Sequence, residues 1–319
     1  MKRLCMLAGA LAAAAIGLSS SANADAWPTR PIQWIVPFAP GGSTDTVARI
    51  VADKLSKRLG QQVVVVNKPG AASEIGYKEA ATAAPDGYTM VLTVPSVVTN
   101  TFYFKNTLDP KRLTPVIYLA EGPYILLASS KFEAKSVADV VKQIKAHPGN
   151  VSCALTGGVG SIGCEMLQSM TKTPLLKVAY RGSHPGTFAV MQGQINLVFS
   201  FSISAKSAAH SDKLRAIATT APKAGMPPMP ELPAMNETLP GFVLAGWDGV
   251  MVPNGTPPAI VARLNKEMNA VLNMPDVKAR LEKGGLQTVG GTPEEFAKRL
   301  ENVQTTFGKV LAETGVKPK

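Results

Sequence analysis

Short apolar runs alternate with amphipathic stretches along the first third of the chain. Residues 32–38 are mostly apolar, and a glycine-rich turn separates them from residues 46–59, whose apolar positions recur at helical spacing. This pattern predicts a strand, a tight turn and an amphipathic helix. A second strand over 63–66, a helix over 75–84 and a third strand over 88–94 repeat the alternation. Parallel α/β architecture is therefore favoured over a sandwich or a helical bundle.

The pattern then repeats with new material. We predict strands over 124–128, 151–155, 176–179, 195–199 and 214–219. Helices are predicted over 136–146 and from 164 to 170, the latter preceded by a glycine loop at 157–163. Residues 222–240 are rich in proline and methionine and resemble a linker, and the end of the chain, 257–272, 276–283 and 293–313, is mostly helical.

These elements indicate two α/β domains. A helical C-terminal tail without strands of its own needs a sheet to pack on, so we expect it to return to the first domain. The predicted division is domain I over residues 25–125 plus 250–319, and domain II over 126–249. Two crossings would leave a cleft between the domains, where small ligands commonly bind.

The first residues predict secretion. Lys2 and Arg3 precede an apolar run over 4–18, and a small polar stretch ends in Ala22-Asn23-Ala24. This is the pattern of a signal peptide, so we expect residues 1–24 to be cleaved at about Ala24 and the protein to reside in the periplasm. The run is too short to span a bilayer.

Charge and composition narrow the partners. The formal charge of +11 falls to +9 when Lys2 and Arg3 leave with the signal peptide. The remaining cations are scattered singly, so no nucleic-acid surface is expected. The three histidines are not spaced with cysteines or carboxylates as metal ligands would be, and we expect no metal and no cofactor.

Two cysteines, Cys153 and Cys164, remain after cleavage. An oxidising compartment and a short intervening loop permit a disulfide between them. Two buried free thiols are the alternative, and the sequence leaves both open.

Several motifs in a fixed order resemble one family. They are Pro37-Phe38-Ala39-Pro40-Gly41-Gly42-Ser43-Thr44-Asp45 followed by Ala48-Arg49, then Asn67-Lys68-Pro69-Gly70-Ala71, Ala84-Pro85-Asp86-Gly87-Tyr88-Thr89, Gly160-Ser161, Tyr180-Arg181-Gly182, Gly193-Gln194, Trp247-Asp248-Gly249 and Pro253-Asn254-Gly255-Thr256-Pro257. Over the whole mature chain the sequence is similar to the Bug-type periplasmic solute receptors of tripartite tricarboxylate transporters. The resemblance implies a type II periplasmic binding protein, a Venus-flytrap with its ligand clamped in an interdomain cleft.

The resemblance also implies partners: a small organic carboxylate, and the membrane subunits of a tripartite tricarboxylate transporter unless the receptor is an orphan. We expect a monomer. The chain departs from the family pattern at Ser73-Glu74, at Cys164 and at Ser200. These departures bear on specificity, so the ligand of a relative cannot simply be transferred.

Two glycine-rich stretches are the leading candidates for the binding site. We name residues 39–45 the first glycine segment and residues 157–163 the second glycine segment. Each precedes or opens a helix, where amides lack intrahelical partners and the dipole favours an anion. Asp45 is expected to serve the helix start rather than touch the anion. Ser161 could bond a carboxylate or cap its helix.

Two roles are open for most of the other candidate ligand-binding residues. Arg181 could pair with a ligand carboxylate or lie at the surface. Glu74 could point to solvent or pair with a cationic or hydroxyl group, because a carboxylate facing another carboxylate is unfavourable. Phe38 and Trp247 could form apolar walls or pack in the core, and His184 is expected to be exposed. The full candidate set for ligand binding is Phe38, Ala39, Gly41, Gly42, Ser43, Thr44, Asp45, Ser73, Glu74, Gly160, Ser161, Arg181, Gly182, Ser183 and Ser200, with no catalytic residue.

The predicted function is therefore a periplasmic solute-binding receptor that captures a small organic carboxylate for uptake. A ligand-sensing protein that feeds a membrane sensor kinase is the alternative. A hydrolase is disfavoured because the serine in Gly158-Val159-Gly160-Ser161 lacks the glycine pattern of a nucleophile elbow. No phosphate-binding loop motif is present either.

Overall fold

The computed structural model describes residues 27–180 and 183–313. The predicted signal peptide, residues 1–24, lies outside the described residues, as do Arg181 and Gly182. Nothing in the structure therefore bears on these two site candidates or on the cleavage position.

Ten strands of the described chain form one mixed sheet. In chain order they are β1 (Ile32–Val36), β2 (Val63–Asn67), β3 (Thr89–Thr93), β4 (Leu113–Ser129), β5 (Ser152–Leu155), β6 (Leu176–Ala179), β7 (Leu197–Phe201), β8 (Leu214–Thr219), β9 (Ala245–Pro253) and β10 (Gln287–Thr288). Their order is β2-β1-β3-β9-β4-β7-β5-β6, and β8 and β10 also pair with β4.

Helices cover the sheet. They are α1 (Ser43–Leu59), α2 (Glu74–Thr82), α3 (Ser96–Tyr103), α4 (Val137–Ala146), α5 (Gly158–Thr171), α6 (Ser183–Met191), α7 (Ser202–Ala208), α8 (Met235–Thr238), α9 (Pro258–Leu272), α10 (Pro275–Lys283) and α11 (Pro293–Glu313). The α/β class predicted from the alternation of apolar runs is confirmed.

The sheet has a parallel part at each end and an antiparallel centre. β1 pairs in parallel with β2 and β3, and β5 pairs in parallel with β6 and β7. The central strands β4 and β9 are antiparallel to each other. The first half of β4 pairs with β9, whereas its second half pairs with β7 and β8. Two strands therefore carry the chain between two α/β units, which gives the two-domain fold. The first unit contains β1, β2 and β3, and the second unit contains β5, β6 and β7.

The crossing strands were the least visible elements in the sequence. Only residues 124–128 of the 17-residue β4 were predicted, and β9 was missed because its glycines and Asp248 interrupt the apolar pattern. The predicted boundaries at residues 125 and 250 fall inside β4 and β9. The assignment of 25–125 plus 250–319 to one domain and 126–249 to the other stays a prediction.

Separate apolar clusters underlie the two units. One cluster joins β1, α1 and α9, and another joins α4, α5 and β7. Helix α11 contacts both sides: Phe296 packs edge-on against Trp247 at 5.3 Å between ring centroids, and Phe307 belongs to the α4, α5 and β7 cluster. The C-terminal helix is therefore shared between the units.

One prediction about the second glycine segment is wrong. A loop was expected up to residue 163, but α5 begins at Gly158. Glycine is a poor helix former, yet two of these glycines are required by packing: a Cβ on Gly160 would lie 2.6 Å from Thr156 Oγ1, and one on Gly163 would lie 2.5 Å from the Phe199 ring. Close approach of the helix to β5 and β7 overrides the local propensity. Helices α3, α6 and α7 were also missed.

Candidate functional site

The first glycine segment joins β1 to α1. Gly41 has φ of +81°, a conformation that glycine adopts at little cost, and Gly42 is the N-cap of α1. Ala39, Gly41 and Gly42 are exposed, whereas Ser43 and Thr44 are half-buried. A Cβ on Gly41 would meet no atom within 4 Å. The first amides of α1 therefore open onto free space at the positive end of the helix dipole.

Asp45 holds this segment in shape. It lies in the first turn of α1, where its charge complements the helix dipole as expected. Its Oδ2 accepts from the Gly41 amide and from Arg49 Nε, both at 2.9 Å, and its Oδ1 accepts from Asn67 Nδ2 at 2.9 Å. Burial would raise the pKa of Asp45, but the bonds from Arg49, Gly41 and Asn67 outweigh it and lower that pKa. Asp45 is thus committed to protein donors.

Asn67 completes this network, although no site role was predicted for it. Its side chain follows β2 and donates to the Phe38 carbonyl at 3.0 Å as well as to Asp45. Arg49 in turn donates to Asn67 Oδ1 at 3.1 Å. In the sequence, the one indication of this role is that Asn67 is the first residue of the family motif Asn67-Lys68-Pro69-Gly70-Ala71.

The second glycine segment is built in the same way. Gly157 has φ of +85° and is exposed, with no atom within 4 Å of an added Cβ. Its amide donates to Ser161 Oγ at 2.9 Å, four residues ahead, as the Gly41 amide donates to Asp45. Ser161 thus has a local role at the start of α5, and its contact with a ligand carboxylate stays a prediction. Gly160 is buried, so it serves packing between α5 and the strands.

The second glycine segment lies against the first unit. A Cβ on Gly158 would lie 3.9 Å from Cβ of Ser96, which opens α3 directly after β3. Ser96 Oγ is 2.9 Å from the hydroxyl of the buried Tyr77. Because β1 and β3 are parallel neighbours, the first glycine segment and Ser96 lie at the same edge of the sheet. The candidate site therefore lies between the two units.

The turn before α2 is strained and supported by buried polar groups. Ala71, Ala72 and Ser73 all have positive φ, between 47° and 79°, which costs about 1–2 kcal/mol for each such residue. Asn100 Nδ2 donates to the Ala72 carbonyl and to Glu74 Oε1 at 2.8 and 2.9 Å. Strain of this kind is typical of functional sites.

Glu74 is buried, so the alternative in which it points to solvent is wrong. Besides the bond from Asn100, its Oε2 accepts from the Leu108 amide at 2.7 Å and lies 3.8 Å from Lys78 Nζ. Both oxygens are therefore engaged with the protein, because the segment before β4 folds back over α2. Asn100, which the sequence analysis did not single out, donates a side-chain hydrogen bond to it.

Several buried polar atoms in the described residues lack a hydrogen-bond partner. Ser200 Oγ, near the end of β7, is one of them, and Thr156 Oγ1, directly after β5, is another. A third is Oδ2 of Asp248 in β9, where burial raises the pKa of the carboxyl to about 7. Such atoms are costly unless a ligand or water satisfies them. Thr156 and Asp248 were not predicted as site residues.

The remaining candidates divide between core and surface. Phe38 is half-buried against the β1, α1 and α9 cluster, and Trp247 packs in the core against Tyr118, with the ring centroids 5.5 Å apart and the rings tilted. Core packing is therefore the role of Trp247. Ser73 is buried, Ser183 is half-buried at the start of α6, and His184 is exposed as expected.

The disulfide between Cys153 and Cys164 is present, with Cα atoms 6.1 Å apart. The bridged alternative is thus confirmed and the pair of free thiols is excluded. It ties β5 to α5, so it fixes the helix that carries the second glycine segment.

Two α/β units crossed by two strands, with an amide-rich segment from each at their junction, define a two-domain solute-binding protein. A family model described as "Tripartite tricarboxylate transporter family receptor" matches residues 47–316. The chain belongs to this family of solute-binding receptors, as the Bug-type motifs predicted.

Related proteins and related structures match this chain over most or all of its length. Protein BugT of Bordetella pertussis is 33% identical and covers 100% of this chain and 99% of its own. The structure of Rpa4515 of R. palustris with adipate has a TM-score of 0.87 at 30% identity, over 92% of this chain and 100% of that chain. MatC of Rhodopseudomonas palustris with bound malate has a TM-score of 0.81 at 30% identity, over 89% and 100%.

Within residues 27–180 and 183–313, no helix combines the length and the apolar character needed to cross a bilayer. The family and the structural relatives are solute-binding proteins and not enzymes.

Proposed function

We propose that the protein captures a small organic carboxylate in the periplasm and delivers it to the membrane subunits of a tripartite tricarboxylate transporter. The observation that carries this proposal is the matched construction of the two glycine segments. Each has an exposed glycine of positive φ whose amide is held by a side chain four residues ahead. Adipate and malate in the related structures support the carboxylate class.

The proposed binding mode relies on backbone donors. The ligand carboxylate accepts from amides at the start of α1 and α5, where the dipoles favour negative charge. Asp45 and Ser161 support these donors by fixing Gly41 and Gly157, and neither contacts the ligand directly. Phe38 supplies an apolar flank beside the first glycine segment.

In this proposal an anion held by both segments also closes the cleft between the units. Only the state in which the two units meet offers both sets of donors, so the ligand stabilises that state by its differential affinity. Arg181, Gly182 and Ser183 stay candidate ligand contacts in this proposal. Removal of residues 1–24 after export is part of the same proposal.

A ligand screen by thermal shift on the secreted form tests the proposal. An acid at 100 times its dissociation constant should stabilise the protein by about 2.7 kcal/mol. The amides of the same acids are matched controls and should give no shift, because they lack the anionic oxygens. Absence of a shift with every organic acid tested would contradict the proposal.

Two further measurements separate receptor from alternatives. A bound acid recovered chemically unchanged after prolonged incubation supports a receptor, and turnover would indicate an enzyme. Uptake of the acid by cells that carry the membrane subunits should require the receptor. A ligand-dependent change in sensor-kinase phosphorylation without uptake would favour the sensing role.

A further inference from the structure

Asp248 is a buried carboxylate with an unused oxygen. Its side chain is 1% exposed, and Oδ2 has no hydrogen-bond partner. No ion pair is found for it in the part of the chain that the structure describes. A buried charge without a partner is strongly unfavourable, so an acceptor kept in this state points to a donor that arrives from outside the chain.

The strand positions Asp248 at the candidate site. In β9 the residue after it, Gly249, pairs with Thr93, the last residue of β3, and the two strands are antiparallel, so Asp248 lies just past the end of β3. Side chains alternate along a strand, and Asp248 therefore shares a face with Gly246 and Val250. Trp247 and its aromatic partners occupy the opposite face.

Gly246 and Val250, which share this face of β9 with Asp248, are connected by packing to both glycine segments. Val250 belongs to the apolar cluster on which Phe38, beside the first glycine segment, packs. On the other side, a Cβ on Gly246 would lie 2.8 Å from Tyr124 Cε2, and Tyr124 Cε1 would lie 3.6 Å from a Cβ on Gly160. The Asp248 charge acts on Tyr124 and, after burial, raises its pKa. These contacts connect the face of β9 that carries Asp248 with the surroundings of both segments.

We propose that Asp248 accepts a hydrogen bond from the ligand, which is therefore an organic acid that also bears a hydroxyl or ammonium group. This inference rests on the proposed function. The amides of the glycine segments hold the ligand carboxylate, and Asp248 selects the substituent. An unsubstituted acid leaves the Asp248 oxygen unpaired on closure, whereas a donor satisfies it.

Specificity follows from the cost of unpaired groups. A site built to receive a hydroxyl or amine rejects an analogue that lacks it more strongly than a site that merely fits shape. An ammonium group adds charge neutralisation to the hydrogen bond, and such bonds are about twice as strong as neutral ones.

Isothermal titration of the secreted form with matched acids tests the inference. Each carbon skeleton is used as the unsubstituted acid, the 2-hydroxy acid and the 2-amino acid, for example succinate, malate and aspartate. The best substituted acid should bind at least about tenfold more tightly than its unsubstituted parent.

Two variants identify the donor. D248A should remove the preference for either substituent. D248N keeps a carbonyl acceptor but not the charge. It should therefore lower the affinity for a 2-amino acid by about 100-fold and the affinity for a 2-hydroxy acid by only about tenfold. D53N, which changes an exposed carboxylate on α1, is the control and should bind as the unaltered protein does.

The outcomes are distinguishable. If unsubstituted acids bind as tightly as their substituted forms, and D248A alters affinity by less than about twofold, the inference is wrong while the proposed function stands. If no acid binds the unaltered protein, the proposed function fails and the inference with it. Melting temperatures of all variants establish that each is folded.

Discussion

At the scale of single residues, two different side-chain groups fix the glycine amides of the candidate site. Asp45 and Ser161 each hold the amide of a glycine four residues earlier, one as a charged acceptor and the other as a hydroxyl. Asp248 differs from both because Oδ2 is not matched by a protein donor. The ligand-free protein should therefore carry a penalty that depends on the protonation of this one carboxyl.

The first prediction is a pH dependence of stability. Burial raises the pKa of Asp248 to about 7 in the folded state from 3.8, so the native state holds an extra proton between these values. Protonated Asp248 therefore favours the folded state at low pH, and this contribution to the free energy of unfolding is lost as the pH rises through 7. From about pH 5.5 to about pH 8 the loss should be about 2 kcal/mol.

Urea unfolding of the ligand-free protein and of D248N at both pH values measures this loss. The difference in unfolding free energy should change in favour of D248N at the higher pH, because Asn does not titrate. The neighbouring Tyr124 has a raised pKa and stays neutral throughout. An identical pH profile for the two proteins would contradict a buried, titrating Asp248.

At the scale of elements, the proposed binding unit is the start of a helix. α1 and α5 each begin beside an exposed glycine of positive φ, and each start is secured by a contact to a neighbouring strand. Asn67 and Asp45 secure the first start, and the bridge between Cys153 and Cys164 secures the second. The arrangement can therefore be tested at each helix separately.

The second prediction concerns Gly42→Val. Gly42 has φ of −74° and ψ of 171°, which a β-branched residue adopts without strain, and its Cβ would approach only the Ala39 carbonyl, at 3.6 Å. The fold should tolerate valine, while its methyl groups cover the amides of α1. Ligand affinity should fall at least about 100-fold with little change in melting temperature.

Thr46→Val is the matched control for this change. It lies in the same turn, is exposed, and alters no helix-start amide. Normal carboxylate binding by Gly42→Val in titration calorimetry would rule out the backbone-amide mode of binding.

The third prediction concerns the disulfide. Replacing Cys153 and Cys164 together by alanine should lower the free energy of unfolding by about 2–3 kcal/mol, because the bridge closes a short loop of the unfolded chain. Guanidinium unfolding without reductant measures this. The reduced unaltered protein serves as comparison and should resemble the double variant. Equal unfolding midpoints for bridged and unbridged forms would show that the bridge contributes no stability.

At the scale of the whole molecule, two crossing strands and one helix couple the units. β4 pairs with strands of both, and α11 contacts apolar clusters of both through Phe296 and Phe307. The two units are thus joined by a continuous sheet and by a shared helix.

The fourth prediction tests this shared helix. Phe307→Ala removes a buried ring from the α4, α5 and β7 cluster and should destabilise the protein by about 3 kcal/mol. Thr305→Ala, on the exposed side of the same helix, should be within about 0.5 kcal/mol of the unaltered protein. Denaturant unfolding compares the three. If Phe307→Ala unfolds like the control, α11 does not stabilise the second unit.

Much of the fold was determined by the sequence alone. Apolar runs of strand length alternating with amphipathic helices predicted β1, α1, β2, α2 and β3 within a few residues, because burial on both faces of a parallel sheet leaves a local signature. The glycine segments and the family motifs were likewise visible, since a positive φ at Gly41 or Gly157 requires a particular residue.

Only the tertiary structure decided how these parts are used. The long crossings β4 and β9 are interrupted by glycine and proline, and pairing with neighbours on both sides makes them strands. Glu74 is buried because a distant segment folds over it. Asp248 becomes a site residue because β9 lies between β3 and β4, at the junction of both units. Such roles depend on contacts between residues far apart in the chain, which local periodicity does not encode.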